Sequence, residues 1–216
     1  MEKQYVFFDL DGVISDPKEG ITKSIDFALR SFGIETKDLD SLKRFIGPPL
    51  YDSFIDFYGF SPEKAEEAMR QYRVYFKEKG IFENYMYDGM GDLLEELYRT
   101  GVKLILATSK PTEFSRQIIE RYGVLNWFED ICGSSMDNSR TSKGDVIRYA
   151  LEKNRISDPS SVIMVGDRIY DVIGARENEI ESIAVLYGYG SREEVEGCSP
   201  NYIARNIPEL REILFC

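Results

Sequence analysis

The chain has 216 residues, 43% of them hydrophobic and 30% charged, with a net charge of −11. That apolar content builds a real core and argues against disorder, and the acidic balance argues against a nucleic-acid polymer as partner. Histidine is absent, which removes every Ser-His or Cys-His mechanism and every imidazole metal site.

The length fits one core domain with a substantial insertion, or two small domains. Cys132, Cys198 and Cys216 are widely spaced and form no CxxC pair. They point away from zinc and from a disulfide framework, toward a reducing cytoplasm. No apolar run approaches the ~20 residues of a membrane span. The chain enters a strand within five residues, so a signal peptide is not expected.

Tyr5-Val6-Phe7-Phe8 is an apolar run of the kind that forms a strand buried on both faces. It runs into Asp9-Leu10-Asp11-Gly12. Ionised carboxylates are costly away from water, so packing alone does not explain them. At the carboxyl end of a parallel strand they would sit where open α/β sheets bind ligands.

Residues 17–82 read as helices. Ile21, Ile25, Leu29 and Phe32 recur at helical spacing and stop at Gly33. Further helices are predicted over 40–45, 50–58 ending at Gly59, and 62–79 behind a Ser61-Pro62 start signal. From residue 87 strands and helices alternate. Strands are predicted over 102–107, 128–132, 162–165, 183–185 and 202–203. Helices are predicted over 92–99, 112–122, 143–154, 170–178, 191–196 and 207–214. This pattern predicts an α/β fold: a Rossmann-like parallel sheet with helices on both faces and an inserted α-helical domain. The core domain is expected over 1–15 and 84–216, and the insert of about four helices over 16–83.

The chemistry gathers at strand ends. The strand over 102–107 runs into Thr108-Ser109, where a hydroxyl and free N–H groups at a helix start would make an anion site. The strand over 162–165 runs into Gly166-Asp167, and Asp171 lies one helical turn on. With Asp9 and Asp11 these carboxylates repel one another unless a cation sits among them. Oxygen ligands without His or Cys point to Mg²⁺. Lys143, at a predicted helix start, supplies the fixed positive charge that a site for phosphate and carboxylates needs.

DLDGV, a strand ending in Thr108, then Lys143, then GDRIYD together resemble the four-part signature of the haloacid dehalogenase superfamily of phosphohydrolases. The helical block resembles the small cap of its phosphoglycolate phosphatase-like branch. IGPPLYDSF, SSMDNSRTSKGDVIRYAL and MVGDRIYDVIGA resemble the bacterial 5′-nucleotidase-like members more closely. The resemblance implies a phosphomonoester hydrolase with Asp9 as nucleophile and Asp11 as general acid and then base. It implies phosphoryl oxygens held by Thr108, Ser109 and Lys143. It also implies Mg²⁺ bound by Asp9, the Asp11 carbonyl and Asp167, with Asp171 in support.

Substrate choice is expected from the cap, where Arg44 and the Gly47-Pro48-Pro49 turn stand among aromatics. The expected partner is a small phosphorylated metabolite, with no membrane and a monomeric state. A nucleoside 5′-monophosphate leads. Phosphoglycolate or sugar-phosphate hydrolysis, a sugar-phosphate mutase and a non-catalytic regulatory module are the alternatives.

Overall fold

In a computed structural model of the chain, residues 3–135 and 140–216 are described. Part of the SSMDNSRTSKGD stretch, residues 136–139, therefore lies outside the described residues. The chain forms two compact units, Met1–Ser15 with Met86–Cys216 and Asp16–Tyr85.

The first unit is built on a six-stranded sheet. Its strands are β1 (Tyr5–Phe8), β4 (Lys103–Pro111), β5 (Phe128–Ser134), β6 (Val162–Gly166), β7 (Glu181–Val185) and β8 (Tyr202–Ala204). The order is β5-β4-β1-β6-β7-β8 and every pairing is parallel. The central strand β1 is apolar on both faces, as its sequence requires. Phe7, Ile105 and Met164 share a buried cluster with Val146, Ile147 and Ala150 of α6 (Lys143–Lys153) and Ala175 of α7 (Ile169–Glu177). The helices α4 (Met90–Arg99) and α5 (Thr112–Arg121) also pack against β4. This unit also contains the helices α8 (Arg192–Gly197) and α9 (Ile207–Phe215).

The second unit contains α1 (Lys18–Arg30), α2 (Leu50–Tyr58) and α3 (Pro62–Glu78), with 3₁₀ turns at Leu39–Phe45 and Gly80–Phe82. Two-residue strands, β2 (Ser15–Asp16) and β3 (Tyr85–Met86), pair with each other. Sequence signals locate helix ends closely here. Gly59 takes the left-handed conformation after α2 (φ 63°), and the Ser61 side chain accepts a hydrogen bond from Lys64 N at the start of α3. Phe54 stacks on Phe60 and packs on Phe45, forming an aromatic core.

Two elements differ from the reading of the sequence. The segment over 40–45 is a 3₁₀ helix, not an α-helix. Its buried residues, Leu42 and Phe45, lie three apart, and a three-residue turn stacks them on one side. The strand predicted to stop at Ala107 continues to Pro111. Pairing with β5 carries on through Thr108↔Gly133 and, after a register shift, Pro111↔Ser134. Gly133 permits this close approach, because a Cβ there would stand 2.3 Å from the Lys110 carbonyl oxygen.

Candidate active site

The parallel register sets the site. Phe8 pairs with Leu106 on one side and Val165 on the other. The residues that follow on the three central strands are therefore neighbours at one end of the sheet. Asp9 stays in the ladder, its N–H donating to the Val165 carbonyl at 2.9 Å. Lys143 enters from the first turn of α6. Its Nζ lies 2.8 Å from Asp9 Oδ1 and 2.8 Å from Asp171 Oδ1, and donates to the Ala107 carbonyl at 3.0 Å. An ammonium has three protons, and three oxygens stand within reach of them. All three side chains are buried. Burial alone would lower the Lys143 pKa, but Asp171 and then Asp9 outweigh it and hold the ammonium charged.

Asp167 directly follows β6 and is buried. Its Oδ2 accepts a hydrogen bond from Tyr189 N at 2.6 Å, while Oδ1 is buried without a hydrogen-bond partner. Asp171 Oδ2 accepts from Arg168 N at 3.0 Å at the head of α7. Asp9, Asp167 and Asp171 each offer a carboxylate oxygen, all within 4.8 Å of one another. Burial first, then the neighbouring carboxylates Asp171 and Asp9, raise the Asp167 pKa well above the usual range. Burial likewise raises Asp171, against the pull of Lys143. Carboxyls crowded in this way are stabilised as anions by a divalent cation. The orphaned Asp167 oxygen and the all-oxygen donor set fit Mg²⁺.

Asp11 stands apart from that group. Its Oδ2 is paired with Lys110 Nζ at 2.6 Å, in a setting where both side chains are largely buried. Burial raises its pKa even though Lys110 pulls the other way. Reading the sequence missed Lys110. The available signal was strand alternation: Thr108 and Lys110 are two apart, which would have put them on one side had the strand been extended.

Thr108 is buried, and its Oγ1 accepts from Lys110 N at 3.3 Å. It does not stand at a helix start, as its sequence context implied. Thr108 and the half-buried Ser109 lie within β4, and α5 begins at Thr112. Arg44, Gly47, Pro48 and Pro49 belong to the helical unit. The Arg44 guanidinium stacks 4.4 Å from the Phe57 ring centre and 5.5 Å from that of Tyr58. The Pro49 carbonyl accepts from Ser53 N and Ser53 Oγ at the head of α2.

Known proteins share this architecture. The 5′-nucleotidase of Pseudomonas aeruginosa is 41% identical over 97% of this chain and 94% of its own length. The tyrosine-protein kinase PtkA of Mycobacterium tuberculosis is 38% identical over 98% of this chain and 72% of its own. The crystal structure of "a predicted phosphatase from Clostridium acetobutylicum" superposes with a TM-score of 0.97 at 48% identity, covering 100% of this chain and 99% of that one. The family model for haloacid dehalogenase-like hydrolases matches residues 6–185, from the first strand through β7. With the strand-end carboxylates and the buried lysine gathered at one end of the sheet, the chain belongs to the haloacid dehalogenase-like hydrolase family.

Proposed function

We propose that this enzyme is a metal-dependent phosphomonoester hydrolase that carries the phosphoryl group on Asp9. The observation behind this reading is the buried Lys143 ammonium, 2.8 Å from both Asp9 and Asp171, beside an Asp167 oxygen without a partner. An Asp9 carboxylate oxygen attacks phosphorus, and the bond to the leaving oxygen breaks as the acyl phosphate on Asp9 forms. Asp11 gives its proton to the leaving oxygen and then takes one from the water that cleaves the acyl phosphate. Burial suits it to the first role by keeping its carboxyl protonated to higher pH than usual. Thr108, Ser109 and Lys143 hold the phosphoryl oxygens. Asp9, the Asp11 carbonyl and Asp167 would hold Mg²⁺, with Asp171 in support. The ion supplies positive charge against the repulsion between a phosphate dianion and a carboxylate.

The substrate is a small phosphorylated metabolite, and a nucleoside 5′-monophosphate is the leading candidate. A relative named 5′-nucleotidase at 41% identity supports that choice. So does an aromatic-rich helical unit, whose Arg44 and Gly47-Pro48-Pro49 turn are the proposed selectivity element. A phosphate-release screen over nucleotides, phosphoglycolate and sugar phosphates tests this. Release from nucleotides is expected with Mg²⁺, poorly with Ca²⁺, whose looser coordination misplaces the attacking carboxylate. Full activity in excess EDTA would remove the metal from the account. A second reading passes the phosphoryl group to an acceptor hydroxyl instead of water, and the relative named a tyrosine-protein kinase favours it. Label transferred to a tyrosine peptide, without matching phosphate release, would select it.

Asp11→Asn should slow an alkyl phosphate by about 10²- to 10⁴-fold, the usual worth of a positioned acid–base group. An activated aryl ester, whose leaving group hardly needs a proton, should lose less in the first half-reaction. Single-turnover rates on the two esters measure this, and equal losses would argue against the acid role.

A further inference from the structure

The loop between β7 and α8 takes part in none of these steps, yet residues 187–190 meet the site at several points. The Tyr189 N–H donates to Asp167 Oδ2 at 2.6 Å. The Tyr187 hydroxyl donates to the Val13 carbonyl at 3.1 Å, on the turn that follows Asp11. Tyr187 is itself fixed, with the Tyr87 ring edge-on at 5.2 Å, and burial raises its pKa so that the hydroxyl stays a donor.

The glycines of this loop close in on the same carboxylate. A Cβ on Gly188 would stand 2.4 Å from Asp167 Oδ2 and 2.5 Å from the Gly12 carbonyl oxygen. One on Gly190 would stand 2.0 Å from the Asp167 carbonyl oxygen, and one on Gly12 would stand 2.1 Å from Asp167 Oδ2. Backbone therefore wedges Asp167 where side chains cannot fit. Its Oδ2 is occupied by the Tyr189 N–H, which leaves the buried, unpartnered Oδ1 for a cation. A carboxylate already locked in one orientation loses little freedom on binding an ion.

We propose that Tyr-Gly-Tyr-Gly over 187–190 is a positioning clamp that sets the affinity of the site for its divalent cation. It fixes Asp167 through the Tyr189 N–H and the two glycines, and ties the turn after Asp11 to the same loop through Tyr187. The proposal rests on the reading of Asp167 as a cation ligand.

The test is binding of Mn²⁺ alone, followed by the electron paramagnetic resonance of the free ion. Wild type, Gly188→Ala, Tyr187→Phe and Asp167→Ala are compared, with thermal unfolding as the check on folding. Gly188→Ala should weaken Mn²⁺ by about tenfold or more, the scale on which contacts behind a metal ligand act. Its kcat should recover toward wild type at saturating ion, which a general loss of structure would not allow. Tyr187→Phe removes one hydroxyl and should weaken Mn²⁺ by about threefold or more, the worth of one hydrogen bond. A folded Gly188→Ala protein with wild-type Kd overturns the clamp. If Gly188→Ala does not fold, a wild-type Kd in Tyr187→Phe overturns it. If Asp167→Ala itself binds Mn²⁺ like wild type, the ligand assignment is wrong and the clamp falls with it. Loss of binding in Asp167→Ala with no change in the other two overturns the clamp alone.

Discussion

Asp9→Asn is expected to lower turnover by roughly 10⁴- to 10⁶-fold, the scale seen when a covalent nucleophile is removed. The amide matches the carboxylate in size but has no charge to attack phosphorus with and is a poor cation ligand. The fold should survive. Lys143 keeps its partner at 2.8 Å on Asp171 and its hydrogen bond to the Ala107 carbonyl. The amide oxygen can still accept from the ammonium. Steady-state rates on an aryl phosphate, with a circular dichroism spectrum matching wild type, make the measurement. Substantial release by the folded variant would mean that another group is the nucleophile.

Lys143→Met should damage both activity and stability. Methionine fills the same path but leaves Asp9 and Asp171 buried with no cation beside them and the Ala107 carbonyl without that donor. Removing one partner of a buried ion pair costs about 3–5 kcal/mol. Urea unfolding in EDTA should show a loss on that scale. Mg²⁺ should restore part of it, since a divalent ion neutralises the same carboxylates. Turnover should fall by about 10²- to 10³-fold, the cost of losing one preorganised donor to developing charge. Unchanged stability in EDTA would mean that Lys143 does not hold the two carboxyls in the folded protein.

Most of this site is legible in the amino-acid sequence. The strand at Tyr5–Phe8 announces itself because a strand buried on both faces must be apolar throughout. Asp9, Asp11 and Asp167 stand out because carboxylates just after such strands have no packing reason to be there, and Asp171 follows Asp167 by one helical turn. Gly59 and Ser61 locate helix ends because capping is local chemistry.

What escaped depends on partners distant in sequence. The strand β4 runs on past Ala107 because Gly133 on β5 lets the Lys110 carbonyl approach, and no local pattern in Thr108-Ser109-Lys110-Pro111 records that. The Lys110 pair with Asp11 spans 99 positions. The grip of Tyr189 on Asp167 is made by a backbone N–H, which carries no residue signature at all. The 3₁₀ segment at Leu39–Phe45 misled for the opposite reason. Its polarity suits either helix type, and only burial of Leu42 with Phe45 decides between them.

The central claim is that Asp9 carries the phosphoryl group, and an acyl phosphate can be caught chemically. Wild-type enzyme turning over an aryl phosphate is quenched in acid and treated with borohydride, which reduces an acyl phosphate to an alcohol and so converts aspartate to homoserine. Peptide mass spectrometry then locates the change. The account predicts homoserine at position 9, dependent on substrate and absent from Asp9→Asn. Steady turnover with no reduced carboxylate, or reduction at Asp11 instead, would contradict it.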